Sequence, residues 1–365
     1  MYMNRLSKAI ESLRMYELDA LILLNQANIA YFLGSSLDYS AVIFYNDGEI
    51  HVVTHTLEYP RAKLLDNVNI YLYSAQSKNK EEVLARDIIE AIGKVIRGSV
   101  NRVGIEGYSI PYATYTRLSN ILSNIEAVDA TDAIWWFRLI KSIDEVEKIK
   151  NASKTVSKAI SRAIEVIKPG VKEVDVAACI AYEIYSMNGF IDIQPIVASG
   201  PRSAIPHAKA SNRVIRDKEV VVVDIVAKHS EYYSDMTRTV ATRSITNELR
   251  KIYEVVREAQ EKALETVTTG VLCSEVDRAA RKIIEDYGYG KYFIHSTGHS
   301  IGLDVHESLR IAENINTELK EGMTITVEPG IYIENIGGVR IEDTILVTKN
   351  GAEVLTEYSK DFIEI

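Results

Sequence analysis

Residues 220–240 read VVVVDIVAKHSEYYSDMTRTV, and this stretch decides the fold of the C-terminal part of the chain. Two runs rich in β-branched and aromatic residues flank the polar segment KHSE, which is the pattern of a β-hairpin. Each run carries one acid, Asp224 and Asp235. A turn centred between His229 and Ser230 places the two carboxylates opposite each other, with Cβ atoms roughly 5 Å apart. Like charges at that distance repel by ~3 kcal/mol at an effective dielectric constant of about 20, so we expect positive charge between them.

A second hairpin repeats this arrangement further along the chain. Residues 324–334, TITVEPGIYIE, and residues 337–347, GGVRIEDTILV, are joined by a short turn near Asn335. A turn centred there places Glu328 opposite Glu342 on adjacent strands. The sequence therefore predicts two opposed pairs of acids on two hairpins.

A histidine-rich segment, residues 295–307, lies between the hairpins and reads HSTGHSIGLDVHE in a chain with seven histidines. Two acid pairs and a histidine cluster have the composition of a site for two cations. Such a set is mostly hard oxygen donors, which favours Mn²⁺ or Co²⁺ over a structural Zn²⁺ with sulfur ligands.

The composition bounds the class of protein. A chain of 365 residues with 47% hydrophobic and 25% charged residues is long enough for two globular domains. The net charge of −9 and the lack of a basic cluster argue against nucleic acid as a partner. We expect no membrane span, because no apolar run approaches about 18 residues. The N-terminus lacks the apolar core of a signal peptide, and two cysteines, Cys179 and Cys273, fit a reducing, cytoplasmic location.

The N-terminal part, residues 1–130, alternates helical and strand patterns and predicts an α/β domain. We expect helices at 4–16 and 80–96 and strands at 20–24, 41–44, 49–54, 68–73 and 102–105. A linker follows at residues 131–141, which contain the aromatic run AIWWFRLIK. The remaining residues, 142–365, are predicted to form the domain that carries the chemistry.

The C-terminal part repeats itself weakly. Residues 168–178, KPGVKEVDVAA, resemble residues 268–280, TTGVLCSEVDRAA, and each follows a helical pattern and precedes a hairpin with two acids. We therefore predict an α+β domain built from duplicated helix–helix–hairpin units with pseudo-two-fold symmetry. Two such units can share one curved antiparallel sheet, with both acid pairs near its centre.

Five motifs in order carry a family resemblance: ASGPRSAIPHA, VVVDIVA with YYSDMTRT, STGHSIGLDVHE, VEPGIYI and GGVRIEDT. Together with ELDALILLNQANIAYFLG near the N-terminus, they resemble the creatinase/prolidase/aminopeptidase P family of metallopeptidases. The resemblance covers essentially the whole chain. It implies a creatinase-like N-terminal domain and a catalytic domain with the "pita-bread" fold.

The resemblance implies a ligand set for two metal ions. Asp224 would chelate one metal, while Asp235 and Glu342 would bridge both. His299 and Glu328 would complete the second metal. Mn²⁺ or Co²⁺ is expected, and Zn²⁺ remains an alternative.

The resemblance also implies roles in binding the substrate. His207 and His306 match two active-site histidines that would bind the substrate and stabilise the tetrahedral intermediate. His295 matches a further histidine of the pocket. Arg340 matches an arginine behind the metals, and Arg310 one that can reach the carboxylate end of the substrate.

The expected activity is hydrolysis of Xaa-Pro peptide bonds. Two cations held by bridging carboxylates can share a water and supply hydroxide at neutral pH, with Glu328 transferring the proton to the leaving nitrogen. An Xaa-Pro dipeptidase is preferred, and its substrate is a small peptide with proline in second position. An Xaa-Pro aminopeptidase acting on longer peptides and a non-catalytic pita-bread module that binds peptides are the alternatives. Relatives that resemble this chain imply a homodimer.

Simpler interpretations of the same residues exist. Asp235 could pair with Arg238, and Glu342 with Arg340, as surface ion pairs that contribute little to stability. Glu307 is expected to support the site or face solvent.

The chain departs from the family pattern at Val226, Ser300, Leu309 and Arg202. None of these departures removes a metal ligand. We expect Arg202, Ser300 and Leu309 to line the substrate pocket.

Overall fold

The computed structural model describes residues 2–76 and 82–365. The chain divides into two compact units, Met1–Arg138 and Leu139–Ile365. Each unit has its own apolar core, so the predicted two-domain organisation is confirmed. Within the described ranges, no helix is long and apolar enough to cross a membrane.

The first unit is an α/β domain built on a seven-stranded sheet with strand order β5-β4-β3-β2-β1-β6-β7. The pairs β1/β2 and β2/β3 are antiparallel, and the other neighbours are parallel. Its elements are α1 Tyr2–Met15, β1 Ala20–Leu23, α2 Gln26–Leu33, β2 Ser40–Tyr45, β3 Ile50–His55, α3 Tyr59–Ala62, β4 Asn69–Ser74, β5 Val83–Leu84, α4 Ile88–Val95, β6 Arg102–Ile105, α5 Tyr112–Ile121, β7 Glu126–Asp129 and α6 Thr131–Leu139.

The helix predicted over residues 80–96 is wrong in its first half. Residues 80 and 81 lie outside the described residues, and Val83–Leu84 forms a strand. The helix begins after Asp87, whose carboxylate accepts hydrogen bonds from the backbone N–H groups of Ile89 and Glu90, both at 3.1 Å. An aspartate in this position stabilises a helix start, so the capping residue sets the boundary.

The predicted linker at residues 131–141 is mostly helical, because α6 occupies Thr131–Leu139. Phe137 of this helix is buried and Trp135 is half-buried, whereas Trp136 is 51% exposed. The two tryptophans therefore do not share one environment. The division between the compact units falls at the end of this helix, after Arg138.

The second unit contains antiparallel sheets and four longer helices. Its elements are α7 Ile143–Val166, α8 Glu173–Ser186, β8 Ile196–Ser199, β9 Val220–His229, β10 Tyr232–Ala241, α9 Asn247–Thr266, α10 Cys273–Asp286, β11 Gly298–His299, β12 Arg310–Ile311, β13 Thr324–Val327, β14 Gly330–Ile333, β15 Gly337–Arg340, β16 Asp343–Thr348 and β17 Gly351–Val354. A 3₁₀ helix, Gly200–Ala204, leads into the loop that carries His207.

The duplicated unit predicted from the sequence is present. In each half, two helices are joined through a glycine with positive φ, Gly170 at 95° and Gly270 at 91°. The N–H group of Gly170 donates to the carbonyl of Ile215, and that of Gly270 donates to the carbonyl of Leu319. The two halves therefore have equivalent backbone hydrogen bonds as well as similar sequence patterns.

The turn of the first hairpin is displaced from its predicted position. Ser230 and Glu231 form the turn with φ values of 50° and 74°, and His229 is the ladder partner of Tyr232. Two positive φ values fit the right-handed twist of the strands. Neither residue is glycine or asparagine, so the sequence did not mark this position within KHSE as the centre of the turn.

The predicted opposition of Asp224 and Asp235 is consequently wrong. Asp224 lies opposite Thr237, and Asp235 lies opposite Val226. The turn centre moves by one residue, so each ladder partner shifts by two residues. Side-chain alternation therefore still places both carboxylates on one face of the hairpin. The acids are diagonal neighbours instead of direct partners.

The second hairpin has the predicted register. Thr324 pairs with Leu346, and Gly330 pairs with Arg340. Glu328 and Glu342 fall at the breaks between β13 and β14 and between β15 and β16. The same register on both sides of the breaks places these two acids opposite each other.

Arg238 joins the first hairpin to the C-terminal segment. Its buried guanidinium donates to the side chain of Asp343 at 2.8 Å and to the carbonyl of Glu342 at 2.7 Å. Further bonds reach the carbonyls of Tyr358 and Ser359. The side chains of Arg238 and Asp343 are 1% and 0% exposed, so this pair is shielded from water.

We expect Arg238→Met to lower the free energy of unfolding of the metal-free protein by about 3–5 kcal/mol, because it leaves the buried Asp343 carboxylate without its guanidinium. Urea unfolding monitored by circular dichroism measures the change. Arg162→Met is the control, since Arg162 forms an exposed pair with Glu165 on α7 and its loss should change stability little. Equal effects of the two substitutions would contradict the prediction.

Candidate metal centre

Three of the five predicted metal ligands form one buried group. Asp235 on β10, His299 on β11 and Glu342 before β16 each offer a ligand atom, and these atoms all lie within 4.8 Å of one another. They come from three segments that lie more than forty residues apart in sequence. Two acids and a histidine that the sequence predicted to lie together are therefore close to one another in the structure.

Broken strand ladders bring these segments together. At the break after β13, the N–H group of Glu328 donates to the carbonyl of Thr297 in the histidine segment, at 2.7 Å. At the break before β16, the N–H group of Glu342 donates to the carbonyl of Thr237 in the first hairpin, at 3.1 Å. The breaks leave these two N–H groups unpaired within the second hairpin. Their hydrogen bonds therefore connect the second hairpin to the histidine segment and to the first hairpin.

Glu328 and Asp224 lie at the border of the buried group. Glu328 Oε1 is 3.4 Å from His299 Nε2. Asp224 Oδ2 is 2.5 Å from a terminal nitrogen of Arg340. Their charges act on Asp235 and Glu342, because both raise the pKa of each of these acids. All four predicted carboxylates therefore belong to one electrostatic cluster.

Burial disfavours negative charge throughout this cluster. It is the largest cause of the strongly raised pKa of Asp235, followed by the charge of Glu342. Burial also raises the pKa of Glu342 well above its ordinary range, with Glu328 and Asp224 adding to it. The pKa of Glu328 rises to about 7, mainly through burial, although Arg340 opposes the rise.

Two carboxylate oxygens of the cluster lack hydrogen-bond partners. Asp235 Oδ1 and Glu342 Oε1 are buried and find no donor among the described residues. A buried acceptor without a donor costs about 1–3 kcal/mol, and more when it is charged. Divalent cations supply the positive charge that such oxygens require, so the donor set fits a metal site.

His299 is prepared to act as a ligand through one nitrogen. Its Nδ1 donates to the carbonyl of Ser300 at 3.2 Å, which leaves the lone pair of Nε2 facing Glu328. Burial lowers the pKa of His299 to about 3, so the ring is neutral at neutral pH. A backbone partner on one ring nitrogen commonly orients a metal-binding histidine.

Arg340 provides positive charge at the cluster. It is buried and donates to Asp224, to the hydroxyl of Thr237 and to the hydroxyl of Tyr332. Its expected position behind the metals and its predicted role in binding the substrate stay predictions.

His295 continues this network. Its Nδ1 donates to the carbonyl of Ser296 at 2.8 Å, and its Nε2 lies 3.0 Å from the hydroxyl of Tyr332. Burial lowers the pKa of His295 to about 4, so the ring is neutral and its Nε2 accepts a hydrogen bond from the Tyr332 hydroxyl. A chain of hydrogen bonds thus runs from Asp224 through Arg340 and Tyr332 to His295.

Two of the other predicted substrate residues, His306 and Arg310, lie beside His299. The ring of His306 lies 4.3 Å from that of His299, centre to centre. Arg310 is the ladder partner of His299 and is exposed. Although much of His306 is accessible to solvent, partial desolvation lowers its pKa, and Arg310 and His207 add to the effect. His207 is exposed on its loop.

The simpler ion-pair interpretations are wrong. Arg238 pairs with Asp343 and not with Asp235, because residues three apart on a strand point to opposite faces. Arg340 pairs with Asp224 on the other hairpin and not with its near neighbour Glu342. Glu307 does not face solvent, since it forms a buried pair with Lys141.

The three departures expected to line the pocket are engaged elsewhere. Arg202 is bonded to the fully buried Glu173 and to the carbonyl of Lys209. The Ser300 hydroxyl accepts the N–H group of Leu309 at 3.0 Å. Leu309 itself packs in the apolar core of the second unit. These contacts hold the framework of the site.

Sequence reasoning missed Thr237 and Tyr332. The hydroxyl of Thr237 donates to Glu342 at 2.7 Å and accepts from Arg340 at 3.1 Å. Thr237 lies two residues after Asp235, so the strand period could have placed it on the same face. No comparable signal marks Tyr332, whose role depends on a contact across the fold.

Both parts of the chain match known protein families. Residues 147–349 match the description "Metallopeptidase family M24", and residues 5–140 match "Creatinase/Prolidase N-terminal domain". The chain belongs to metallopeptidase family M24. The predicted N-terminal creatinase-like domain and C-terminal pita-bread domain are therefore confirmed.

The most similar proteins match along nearly their whole length. An Xaa-Pro dipeptidase of Pyrococcus horikoshii is 39% identical over 362 residues, covering 99% of this chain and 99% of that protein. The structure of an Xaa-Pro dipeptidase from Bacillus anthracis has a TM-score of 0.92 at 30% identity and covers 100% of both chains. The P. horikoshii prolidase structure has a TM-score of 0.89 at 38% identity, covering 98% of this chain and 99% of that one.

In protein freed of metal by chelation, Glu328→Gln is expected to change how stability depends on pH. The folded-state pKa of Glu328, about 7, lies above its ordinary value of 4.5. Because the folded state then binds more protons than the unfolded state between these values, the wild type loses stability as pH rises through this window. The variant does not titrate there, so its Tm relative to wild type should rise between these pH values and level off above them.

Differential scanning calorimetry at several pH values measures this difference, and histidine contributions cancel because both proteins share them. Glu265→Gln is the control, since Glu265 forms an exposed pair with Lys262. A difference in Tm that stays constant with pH would contradict the raised pKa of Glu328.

Proposed function

We propose that the protein is a metal-dependent exopeptidase that hydrolyses Xaa-Pro dipeptides. The observation that carries the proposal is the buried group of Asp235, His299 and Glu342, with two carboxylate oxygens that lack donors among the described residues. The likeness to Xaa-Pro dipeptidases along nearly the whole chain supports the choice of substrate.

We infer that the site holds two divalent cations. Asp224, Asp235, His299, Glu328 and Glu342 would hold them. Oxygen donors predominate, which favours Mn²⁺ or Co²⁺, with Zn²⁺ as the alternative. When bound, the cations supply Lewis acidity, which lowers the pKa of a water and polarises a peptide carbonyl.

Glu328 is the carboxylate best placed to transfer a proton. Its side chain is 17% exposed and that of Asp224 is 14% exposed, whereas Asp235 and Glu342 are buried. Asp224 is also occupied by Arg340. Glu328 can therefore accept a proton from the attacking water and deliver it to the proline nitrogen, which leaves as a secondary amine.

His306 and His207 would bind the peptide group under attack. The lowered pKa of His306 keeps its ring neutral at neutral pH, with one N–H group available as a donor. Both histidines are exposed toward solvent, and His207 lies close enough to contribute to the lowered pKa of His306. A donor directed at the carbonyl oxygen stabilises the negative charge that develops there.

Arg310 favours the dipeptidase over the aminopeptidase. It is an exposed cation next to His299 and His306, where the free carboxylate of a dipeptide can form an ion pair. The Xaa-Pro aminopeptidase remains the second candidate, because the X-Pro aminopeptidase structure from Thermotoga maritima has a TM-score of 0.86 at 30% identity over 97% of this chain and 100% of that one.

The non-catalytic module is disfavoured by the complete ligand set, since a peptide-binding module does not require four carboxylates around one histidine. The homodimer and the cytoplasmic location predicted from the sequence stay predictions. Analytical ultracentrifugation of the full chain tests the first of them.

Hydrolysis of Ala-Pro, Met-Pro and Arg-Pro-Pro tests the proposal. With Mn²⁺ or Co²⁺ added, we expect cleavage of both dipeptides and little cleavage of Arg-Pro-Pro, and we expect exhaustive chelation to abolish activity. Preferential cleavage of Arg-Pro-Pro would instead indicate the aminopeptidase. No cleavage with either metal would favour the binding module.

Asp224→Asn tests the metal site by substitution, because it removes the charge of one predicted ligand while preserving side-chain volume. We expect kcat to fall by about two orders of magnitude or more while the far-ultraviolet circular dichroism spectrum is unchanged. Asp286→Asn is the control, because Asp286 forms an exposed pair with Lys282 on α10. Turnover near the wild-type rate in Asp224→Asn would refute the site.

Arg310→Gln is expected to raise KM for Ala-Pro by about tenfold or more, because it removes the cation that pairs with the substrate carboxylate. The same variant should barely change the weaker hydrolysis of the amide Ala-Pro-NH₂, which has no carboxylate. Arg162→Gln on α7 is the control. An equal loss for both substrates would mean that Arg310 does not recognise the carboxylate.

A further inference from the structure

A buried ion pair holds the loop between the two neighbouring site histidines. Lys141 Nζ lies 2.7 Å from Glu307 Oε2, and the two side chains are 1% and 5% exposed. Glu307 directly follows His306 in sequence. Removing one member of a buried pair leaves an uncompensated charge, so the loop is strongly tied to Lys141.

Lys141 is itself fixed to the framework that carries Glu328. Its N–H group donates to the carbonyl of Gly322 at 2.8 Å, and Ile140 forms a β-bridge with Met323. Strand β13 begins at the next residue and ends just before Glu328. The ammonium group of Lys141 is therefore a fixed point relative to this strand.

Glu307 uses its remaining groups to shape the loop. Its Oε1 accepts the N–H group of Leu303 at 3.2 Å, and its own N–H group donates to the carbonyl of Ser300 at 2.9 Å. Gly302 makes room for the pair, because a Cβ there would lie 2.7 Å from Glu307 Oε1 and 3.0 Å from Lys141 Cε. The loop conformation and the ion pair thus require each other.

His306 lies between two anchored neighbours. Val305 packs with Tyr233 and Ile301 in a small apolar cluster, and Glu307 forms the ion pair. His306 alone among these three successive residues is exposed, and its ring rests 4.3 Å from that of His299. Fixing the residues on both sides restricts the directions in which the His306 ring can point.

We propose that Lys141 is a positioning residue that acts through Glu307 to hold the His306 ring beside His299. Its consequence for catalysis rests on the proposed function, whereas its consequence for the His306 ring does not. Stability alone does not require this pair, because well-packed apolar side chains in place of a buried ion pair are often equally stable.

The first test follows the imidazole signals of the metal-free protein by ¹H–¹³C NMR, with the His306 signal assigned through His306→Gln. We expect Lys141→Met to shift or broaden the His306 signal, while His51 and His55 of the first unit keep theirs. Glu307→Gln, which retains the side-chain volume and loses the charge, should produce the same change. Lys150→Met is the matched control, because Lys150 forms a more exposed pair with Glu353.

The second test measures hydrolysis of Ala-Pro with Mn²⁺. We expect Lys141→Met to lower kcat on the order of 100-fold, with little change in KM or in bound metal, because a small misplacement of a reacting or binding group costs about this factor. In a His306→Ala background, the same substitution should cause little further loss. Lys150→Met should leave kcat unchanged in both backgrounds.

An unchanged His306 signal in both Lys141→Met and Glu307→Gln would overturn the proposal, whatever the enzymatic activity. An equal loss of kcat from Lys141→Met with and without His306 would overturn it too, because Lys141 would then act by another route. A wild-type protein that hydrolyses no Xaa-Pro peptide would instead defeat the proposed function, and the NMR test would still decide the role of Lys141.

Discussion

The removal of four carboxylates from water into one cluster is the constraint on which the rest of this structure depends. Burial and mutual repulsion raise the pKa values of Asp235, Glu342 and Glu328. Protein groups relieve part of the cost, chiefly Arg340 at Asp224 and Thr237 at Glu342. The two oxygens that these donors do not reach point to cations as the remaining partners.

The framework that resists this repulsion is built from backbone bonds and buried pairs. Breaks in the second hairpin free the N–H groups of Glu328 and Glu342 to bind the histidine segment and the first hairpin. Arg238 pairs with Asp343 and also donates to the carbonyl of Ser359, which connects the first hairpin and strand β16 to the C-terminal segment. Because each ligand segment is tied to another one, the carboxylates cannot separate without breaking several buried interactions.

Individual residues show where prediction from the sequence succeeded and where it failed. The register of the second hairpin followed from its turn, so the opposition of Glu328 and Glu342 could be predicted. The first hairpin turns at Ser230 and Glu231, where positive φ values occur without glycine, and the expected pairing of Asp224 with Asp235 failed. The error preserved the face of the strand, so both acids still lie on the same side of the hairpin.

The sequence by itself determined the two-domain α/β and α+β organisation, the duplicated unit and the placement of two acids on one side of each hairpin, because these follow from local periodicity and turn chemistry. The tertiary structure decided the partners: Arg340 with Asp224, Arg238 with Asp343, and Lys141 with Glu307. Each of these pairs joins residues far apart in sequence. The stability of such a pair depends on burial and on distances that exist only once the segments have packed together.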